Sequence, residues 1–378
     1  MQKRSILHIV ANSNWDEQAI RILTELEGLQ AMGHAVFLIT QQSSEIFKRA
    51  AEREIPVDVV GIDRSNVPQA IWQVIRIIRK RQADIVTTHT SRDHWIGAVA
   101  ARLSRRQPIV IRMQHHAPAI EKGLMSRLLY QKLSDHVITT GEVLRNRLIT
   151  EQGFLPDRTI SIPIGVDPTR FDPSRCDPEM MRNDLTYAKG PRIAMTGVFS
   201  DGIDFQDFVA AAAKVLKTIP ETRFYIIGTG LAEDVRRVRV VVGQYRLQNE
   251  VFILGHREDI PEILFEMDLL VHCPSENLGI PQLVLQALAM GKPVVTTKVG
   301  AMPEAVFNGV TGHLVLSHDV QFLTDREMDL LQDELKRKAF GQAGRRLVIE
   351  RYSLGNMLNR LEKLYENLLA KRDIVAVA

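Results

Sequence analysis

Residues Val251–Leu316 read VFILGHREDIPEILFEMDLLVHCPSENLGIPQLVLQALAMGKPVVTTKVGAMPEAVFNGVTGHLVL. Short apolar runs at Val251–Leu254, Asp268–His272 and Pro293–Thr297 alternate with stretches of helical character. Glycines and prolines fall at the junctions. Runs that are apolar throughout, separated by helices, describe parallel strands buried on both faces. In such a sheet the carboxyl ends of the strands and the amino ends of the following helices share one edge, and ligands collect there.

Outward from this stretch the same alternation continues. Arg192–Thr196 and Arg223–Gly228 are two further strands of the same series. A first series runs through Ser5–Val10, Ala35–Thr40, Val57–Val60, Asp84–Thr88, Pro108–Met113 and His136–Thr139. Helices are expected between these strands over Ala19–Met32, Val67–Gln82 and Asp93–Ser104. Gly33 stands where a helix end favours a left-handed residue. Between the two series, Pro163, Pro168, Pro173 and Pro178 break the rhythm, as a linker does. The expectation is an α/β chain with two Rossmann-like domains. The first spans residues 1–163, a linker 164–190, the second domain 191–352, and a terminal helix and tail 353–378. Ser353 is a candidate cap for that helix, whose Met357, Leu361, Leu364 and Leu368 share one face.

With 378 residues, two domains are the ordinary expectation. A net charge of +3 argues against a dedicated nucleic-acid binder. The charge is uneven: residues 1–182 hold 25 Lys and Arg against 20 Asp and Glu. Two cysteines without a CxxC pair exclude a disulfide framework and suit a reducing compartment. No run approaches the ~20 apolar residues of a membrane span, and Ile6–Ala11 is too short for a secretory signal core. A cytoplasmic protein is expected. The segment Ile71–Arg81 joins aliphatic residues and Trp72 to four cations, a pattern that suits either a core helix with a solvated face or an inner-leaflet membrane surface.

The chemistry-bearing residues sit at the junctions. In Pro274–Gly291 a strand end, a Gly279-Ile280-Pro281 turn and a helix would aim backbone N–H groups at a phosphate, with Gln286 one turn in. Around it lie Gly255-His-Arg-Glu-Asp-Ile-Pro261, Gly300-Ala-Met-Pro-Glu304 and Gly309-Val-Thr-Gly-His-Leu-Val315. The first series ends in Ile162-Pro-Ile-Gly-Val-Asp167, where Gly165 allows a tight turn and Asp167 can bond its own backbone. His89, and His115 with Arg112 before it, follow strands of the first series, and imidazole near neutral pH can donate to or relay a proton for a sugar hydroxyl.

In order and spacing these motifs resemble the nucleotide-sugar glycosyltransferases of family four, which have the GT-B fold, and the resemblance covers almost the whole chain. It implies a terminal helix that crosses back onto the first domain. It implies retaining, metal-independent transfer, with no cofactor beyond the nucleotide-sugar co-substrate, onto a cell-surface glycan, glycolipid or lipopolysaccharide-core acceptor. The catalytic pair it implies is His115 and Glu276. The substrate-binding set it implies is Asp16, Glu17, His89, Arg112, Gly165, Gly197, Gly228, Gly230, His256, Arg257, Asp259, Gly279, Ile280, Gln286 and Glu304. The backbone of Gly255–Asp259 would meet the base, and Gln286 the ribose.

Three pairs of positions depart from that pattern. Asp16 and Glu17 stand where a glycine pair would let backbone approach the donor phosphates. Val198 and Ile203 replace an Arg and a Lys that neutralise the leaving diphosphate; one such electrostatic contact is worth about 3 kcal/mol. Leu278 replaces the first of two glutamates, with Glu276 two residues earlier, and Gln286 replaces the second. Arg192, Lys298 and Arg257 are the alternative cations. Two other readings remain open at this level: a homologue weakened in catalysis that binds a glycan, a lipid or a partner enzyme, and a nucleotide-sugar epimerase of the same fold.

Overall fold

The computed structural model describes residues 3–11, 15–62, 66–115, 128–176, 190–197, 205–228, 232–255, 257–275 and 279–377, without the side chains of 128, 129 and 373–377. The chain forms two units, Met1–Ile164 with Met357–Ala378, and Gly165–Asn356.

The first unit holds a seven-stranded parallel sheet. Its strands are β1 (Ser5–Ile9), β2 (Ala35–Thr40), β3 (Val57–Val59), β4 (Ile85–Thr88), β5 (Ile109–Gln114), β6 (His136–Thr139) and β7 (Thr159–Ser161), in the order β3-β2-β1-β4-β5-β6-β7. The order reverses between β1 and β4, which leaves a crevice at their carboxyl ends. Leu7, Ile9, Ile39, Val86 and Val110 pack on Val74 and Ile78 of the helix Val67–Lys80. That helix forms because its apolar residues recur at helical spacing behind Pro68 in its first turn. The helix Glu17–Ala31 ends as expected, with Gly33 at φ 93° and its N–H returned to Gln30 O.

The second unit holds a six-stranded parallel sheet: β8 (Arg192–Thr196), β9 (Arg223–Ile227), β10 (Val251–Gly255), β11 (Leu269–His272), β12 (Val294–Thr297) and β13 (Gly312–Val315). Their order is β10-β9-β8-β11-β12-β13, so the reversal lies between β8 and β11. Phe208, Phe224, Val271 and Val295 centre its core. Residues 165–176 of the proline-rich stretch belong to this unit, and 177–189 lie outside the described residues.

The last helix, Leu354–Val377, belongs to the first unit from Met357 onward. Arg360 donates to Ser161 O at 2.5 Å, and His34 Nε2 lies 3.6 Å from a carboxylate oxygen of Glu362. Leu358 fills the space that a side chain at Gly28 would need. Two strands at the sheet margins, β7 and β13, escape the apolar-run criterion because Thr159, Ser161 and His313 interrupt them.

Candidate functional site

All strands of each sheet are parallel, so each unit has one carboxyl edge; His89 and His115 follow β4 and β5 there, and Gly197, Gly228, Arg257 and Lys298 follow β8, β9, β10 and β12. In the first unit the crevice between β1 and β4 is tied by Asp93. This residue closes a capping box with Thr90 on the helix Ser91–Leu103. Its carboxylate also accepts the N–H groups of His89 at 2.9 Å and Ala11 at 3.2 Å. Burial pushes Asp93 up to about 6, against the opposing pull of Arg112. Arg112 is itself buried; its Nε donates to Gln114 at 3.3 Å and its Nη1 stands 3.8 Å from Asp93. Asp93 and Arg112 therefore hold the crevice walls together.

His115 directly follows β5 and touches His89, with His115 Nε2 and His89 Nδ1 3.1 Å apart. The other nitrogen of His89 lies 3.1 Å from Nδ1 of His8 in β1. With both ring nitrogens engaged by imidazoles, His89 has none left for a ligand, which assigns it to supporting His115. His8 is absent from the sequence-derived set. Within Ser5–Ile9 no spacing sets it apart from the buried residues on either side of it.

Asp16 caps the helix Glu17–Ala31, and its carboxylate accepts Ala19 N–H at 2.9 Å. An internal anion thus occupies the helix end that would otherwise attract a phosphate. Glu17 is solvent-exposed yet crowded by protein atoms; that crowding, and then Asp16, push it up to about 7, a shift that access to water moderates.

In the second unit Gly228 could not carry a Cβ, which would stand 1.8 Å from Gly197 O. The Gly228 N–H is taken by Gly255 O at 3.1 Å and the Gly197 N–H by Ile227 O at 3.3 Å. These glycines let strand ends converge; their amides do not point at a ligand. Gly255 follows at φ 70°. Beyond it Arg257 grips Asp259 through two bonds of 2.8 and 2.5 Å, and that contact holds Asp259 below the usual carboxylate range. Gly279, Ile280 and Pro281 lead into the helix Gln282–Ala289, with Ile280 buried and Gln286 half-buried in its second turn. Gly300, at φ 56°, precedes the short helix Met302–Ala305, where Glu304 O accepts the Tyr352 hydroxyl at 2.8 Å.

Among the alternative cations, Arg192 opens β8 at the opposite edge and pairs with Glu266, so it cannot serve a ligand at the carboxyl edge. Lys298 follows β12 on the carboxyl edge and is exposed. His272, unforeseen from the sequence, closes β11 at the strand reversal: its Nδ1 donates to Thr196 O at 2.9 Å, and burial holds it down at about 4. Gly165 lies against the backbone of Leu354, 2.6 Å from where a Cβ would be, so its glycine serves chain packing. Asp167 accepts Thr169 N–H at 2.8 Å, the local turn expected of it. Glu276, Gly230, His256, Val198, Ile203 and Leu278 lie outside the described residues.

Two family models match the chain: Glycosyltransferase Family 4 over residues 18–170 and Glycosyl transferases group 1 over residues 190–333. The chain is 22% identical over 315 residues to the UDP-Gal:alpha-D-GlcNAc-diphosphoundecaprenol alpha-1,3-galactosyltransferase of Escherichia coli, covering 80% of each protein. It is 26% identical over 359 residues to the GDP-mannose-dependent monoacylated alpha-(1-6)-phosphatidylinositol monomannoside mannosyltransferase of Corynebacterium glutamicum, covering 88% of this chain and 89% of that protein. Its fold matches Anabaena Alr3699/HepE, a structure solved with UDP and glucose, at TM-score 0.84 and 18% identity, over 96% of this chain and 99% of that one. The chain belongs to the GT-B glycosyltransferases of family four.

Proposed function

We propose that the chain transfers a sugar, with retention of configuration, from a nucleotide-sugar held on the second unit to a lipid-linked glycan acceptor. The observation that carries this reading is the polar set on the carboxyl edge of the second sheet. Arg257 and Asp259 follow β10, Lys298 follows β12, and Gln286 lies one turn into the helix after β11. Backbone near Gly255 would meet the base, and the amide of Gln286 would bond ribose hydroxyls. The amino end of Gln282–Ala289, together with Lys298, would stabilise the diphosphate as charge develops on it. On the first unit, His115 would serve as a hydrogen-bonding group for a hydroxyl of the acceptor glycan.

The relatives support the substrate classes. One uses a UDP-sugar and a diphosphoundecaprenol-linked acceptor, and the other a GDP-sugar and a phosphatidylinositol glycan. Both acceptors carry phosphate on a lipid, which agrees with the cationic surplus in the first half of this chain. Trp72, Arg76, Arg79 and Lys80 are exposed along one face of Val67–Lys80, with Arg76 4.7 Å from the Trp72 ring centre; this face suits an anionic bilayer that presents such an acceptor.

The test is turnover. The protein is incubated with a panel of UDP- and GDP-sugars and with sugars linked to polyprenyl diphosphate or phosphatidylinositol, and the released nucleotide and glycosylated lipid are measured. The expected result is an acceptor-dependent product with the donor's anomeric configuration. A product of opposite configuration would refute retention, and release of neither nucleotide nor product across the panel would refute transfer to these classes.

A further inference from the structure

A cavity opens at the amino edge of the first sheet, opposite the edge that carries His89 and His115. Two strand beginnings line it: His136 opens β6 and Thr159 opens β7. Tyr130, in the short helical segment Leu128–Lys132, and Phe154, just past the helix Glu142–Gln152, are buried and give it an apolar wall, their ring centres 5.9 Å apart. Arg158 and Asp135 stand at its margin. The space measures about 240 Å³ and is open to solvent. Pockets for drug-sized ligands begin near roughly 300 Å³, so this one suits a small group and not a nucleotide-sugar.

The polar groups around it are unequally used. Asp135 is spent within the protein, accepting Val110 N–H at 2.7 Å and Arg102 Nη2 at 2.9 Å. Thr159 Oγ1 donates to Leu155 O at 2.9 Å, and Gln131 Nε2 to Gly153 O at 2.9 Å. His136 differs. It is 7% exposed, and its ring makes no hydrogen bond or ion pair among the described residues. A buried imidazole left with an N–H and a lone pair unused is costly, and the cavity is where a partner can reach it. Arg158 is exposed and unpaired among the described residues, as is Lys371 of the last helix. Burial first, then Lys371, with Arg158 a smaller contributor, hold His136 down at about 4, while Asp157 and Asp135 pull the other way. With Asp135 spent, two free cations face Asp157 alone. Two cations and an imidazole N–H match a dianion with three acceptor oxygens, which is a phosphate monoester; a carboxylate brings a single charge.

We propose that this cavity binds a phosphate monoester group, of a soluble molecule or of a lipid headgroup, with His136 as its hydrogen-bond donor, Arg158 and Lys371 as counter-charges, and Tyr130 and Phe154 against the ester carbon. The site is separate from both carboxyl edges and does not depend on the glycosyltransfer reading. An anion there also reverses the repulsion that keeps His136 neutral, so binding and protonation of this ring go together.

The test uses the full chain labelled in histidine, with His136 assigned from a His136→Asn variant. NMR follows the ring during titration with inorganic phosphate at constant ionic strength. The expected result is a saturable shift of the His136 signals and a rise of its pKa by about one unit or more. Arg158→Ala changes an exposed, unpaired residue, so the fold should be kept while phosphate binds roughly tenfold more weakly. The second probe is vesicles of phosphatidylcholine with phosphatidic acid, sedimented with parent and variant. A response to phosphate that weakens in Arg158→Ala supports a soluble ligand, and sedimentation that falls in Arg158→Ala supports a lipid headgroup. A His136 ring indifferent to phosphate, together with vesicle binding that is absent or equal in parent and variant, would overturn the site. So would a phosphate response undiminished in Arg158→Ala. Neither probe is a sugar donor or a glycan acceptor, so failure of the transfer assay and failure of this site are separate results.

Discussion

His272 shows what a single residue contributes at the strand reversal of the second sheet. Its Nδ1–H ties β11 to Thr196 O, and burial keeps the ring neutral, down at about 4 from 6.5. A depressed pKa of this kind adds stability that is fully present above 6.5 and is lost as pH falls toward 4, because the unfolded chain takes up the proton first. The stability advantage of the parent over His272→Gln should therefore shrink by about 1.4 kcal/mol per pH unit across that window. Denaturant unfolding at several pH values measures it, and a pH-independent difference would mean that His272 is already solvated. Neither His272 nor His8 stood out in the sequence, because a histidine inside an apolar run carries no spacing signal. The departures at Asp16 and Glu17 were legible as residues, but that Asp16 would cap its own helix was not, since the cap depends on where the helix begins.

The elements were legible nearly to the residue wherever apolar runs were long and their ends carried glycine or proline. Gly165 shows the limit: the sequence marks it as a turn residue, whereas the structure presses it against Leu354, a contact between chain segments far apart in sequence. Gly165→Ala should cost about 1–3 kcal/mol through overpacking against rigid backbone. Gly355→Ala, with open space around its added Cβ at the start of the last helix, should be neutral or stabilising by up to about 1 kcal/mol. Thermal melts of both variants check the contrast, and equal losses would refute the packing account. The helix Val67–Lys80 makes a second element-scale prediction. Trp72 is 57% exposed, and replacing Trp72, Arg76 and Lys80 by Ala should reduce sedimentation with phosphatidylglycerol vesicles without changing the melting temperature by more than a degree or two. Binding equal to the parent's would remove this face from the account.

At the scale of the molecule, two doubly wound sheets place the junctions after β4, β5, β8, β9, β10 and β12 on carboxyl edges, which is why the fold and these junctions could be read from one strand–turn–helix alternation. The sequence could not tell which polar groups at those edges are already engaged. Gly197, Gly228 and His89 are used internally and Arg257 is bonded to Asp259, while Gln286 and Lys298 help to define the second unit's edge. The central claim is that this edge binds the nucleoside diphosphate of a sugar donor. Calorimetric titration of UDP and GDP into the parent and into Gln286→Ala tests it most directly. The account predicts that at least one nucleotide binds the parent and that the variant binds it about 1–2 kcal/mol more weakly, as for loss of a hydrogen bond to ribose. No binding of either nucleotide to the folded parent, or equal affinity in parent and variant, would contradict it.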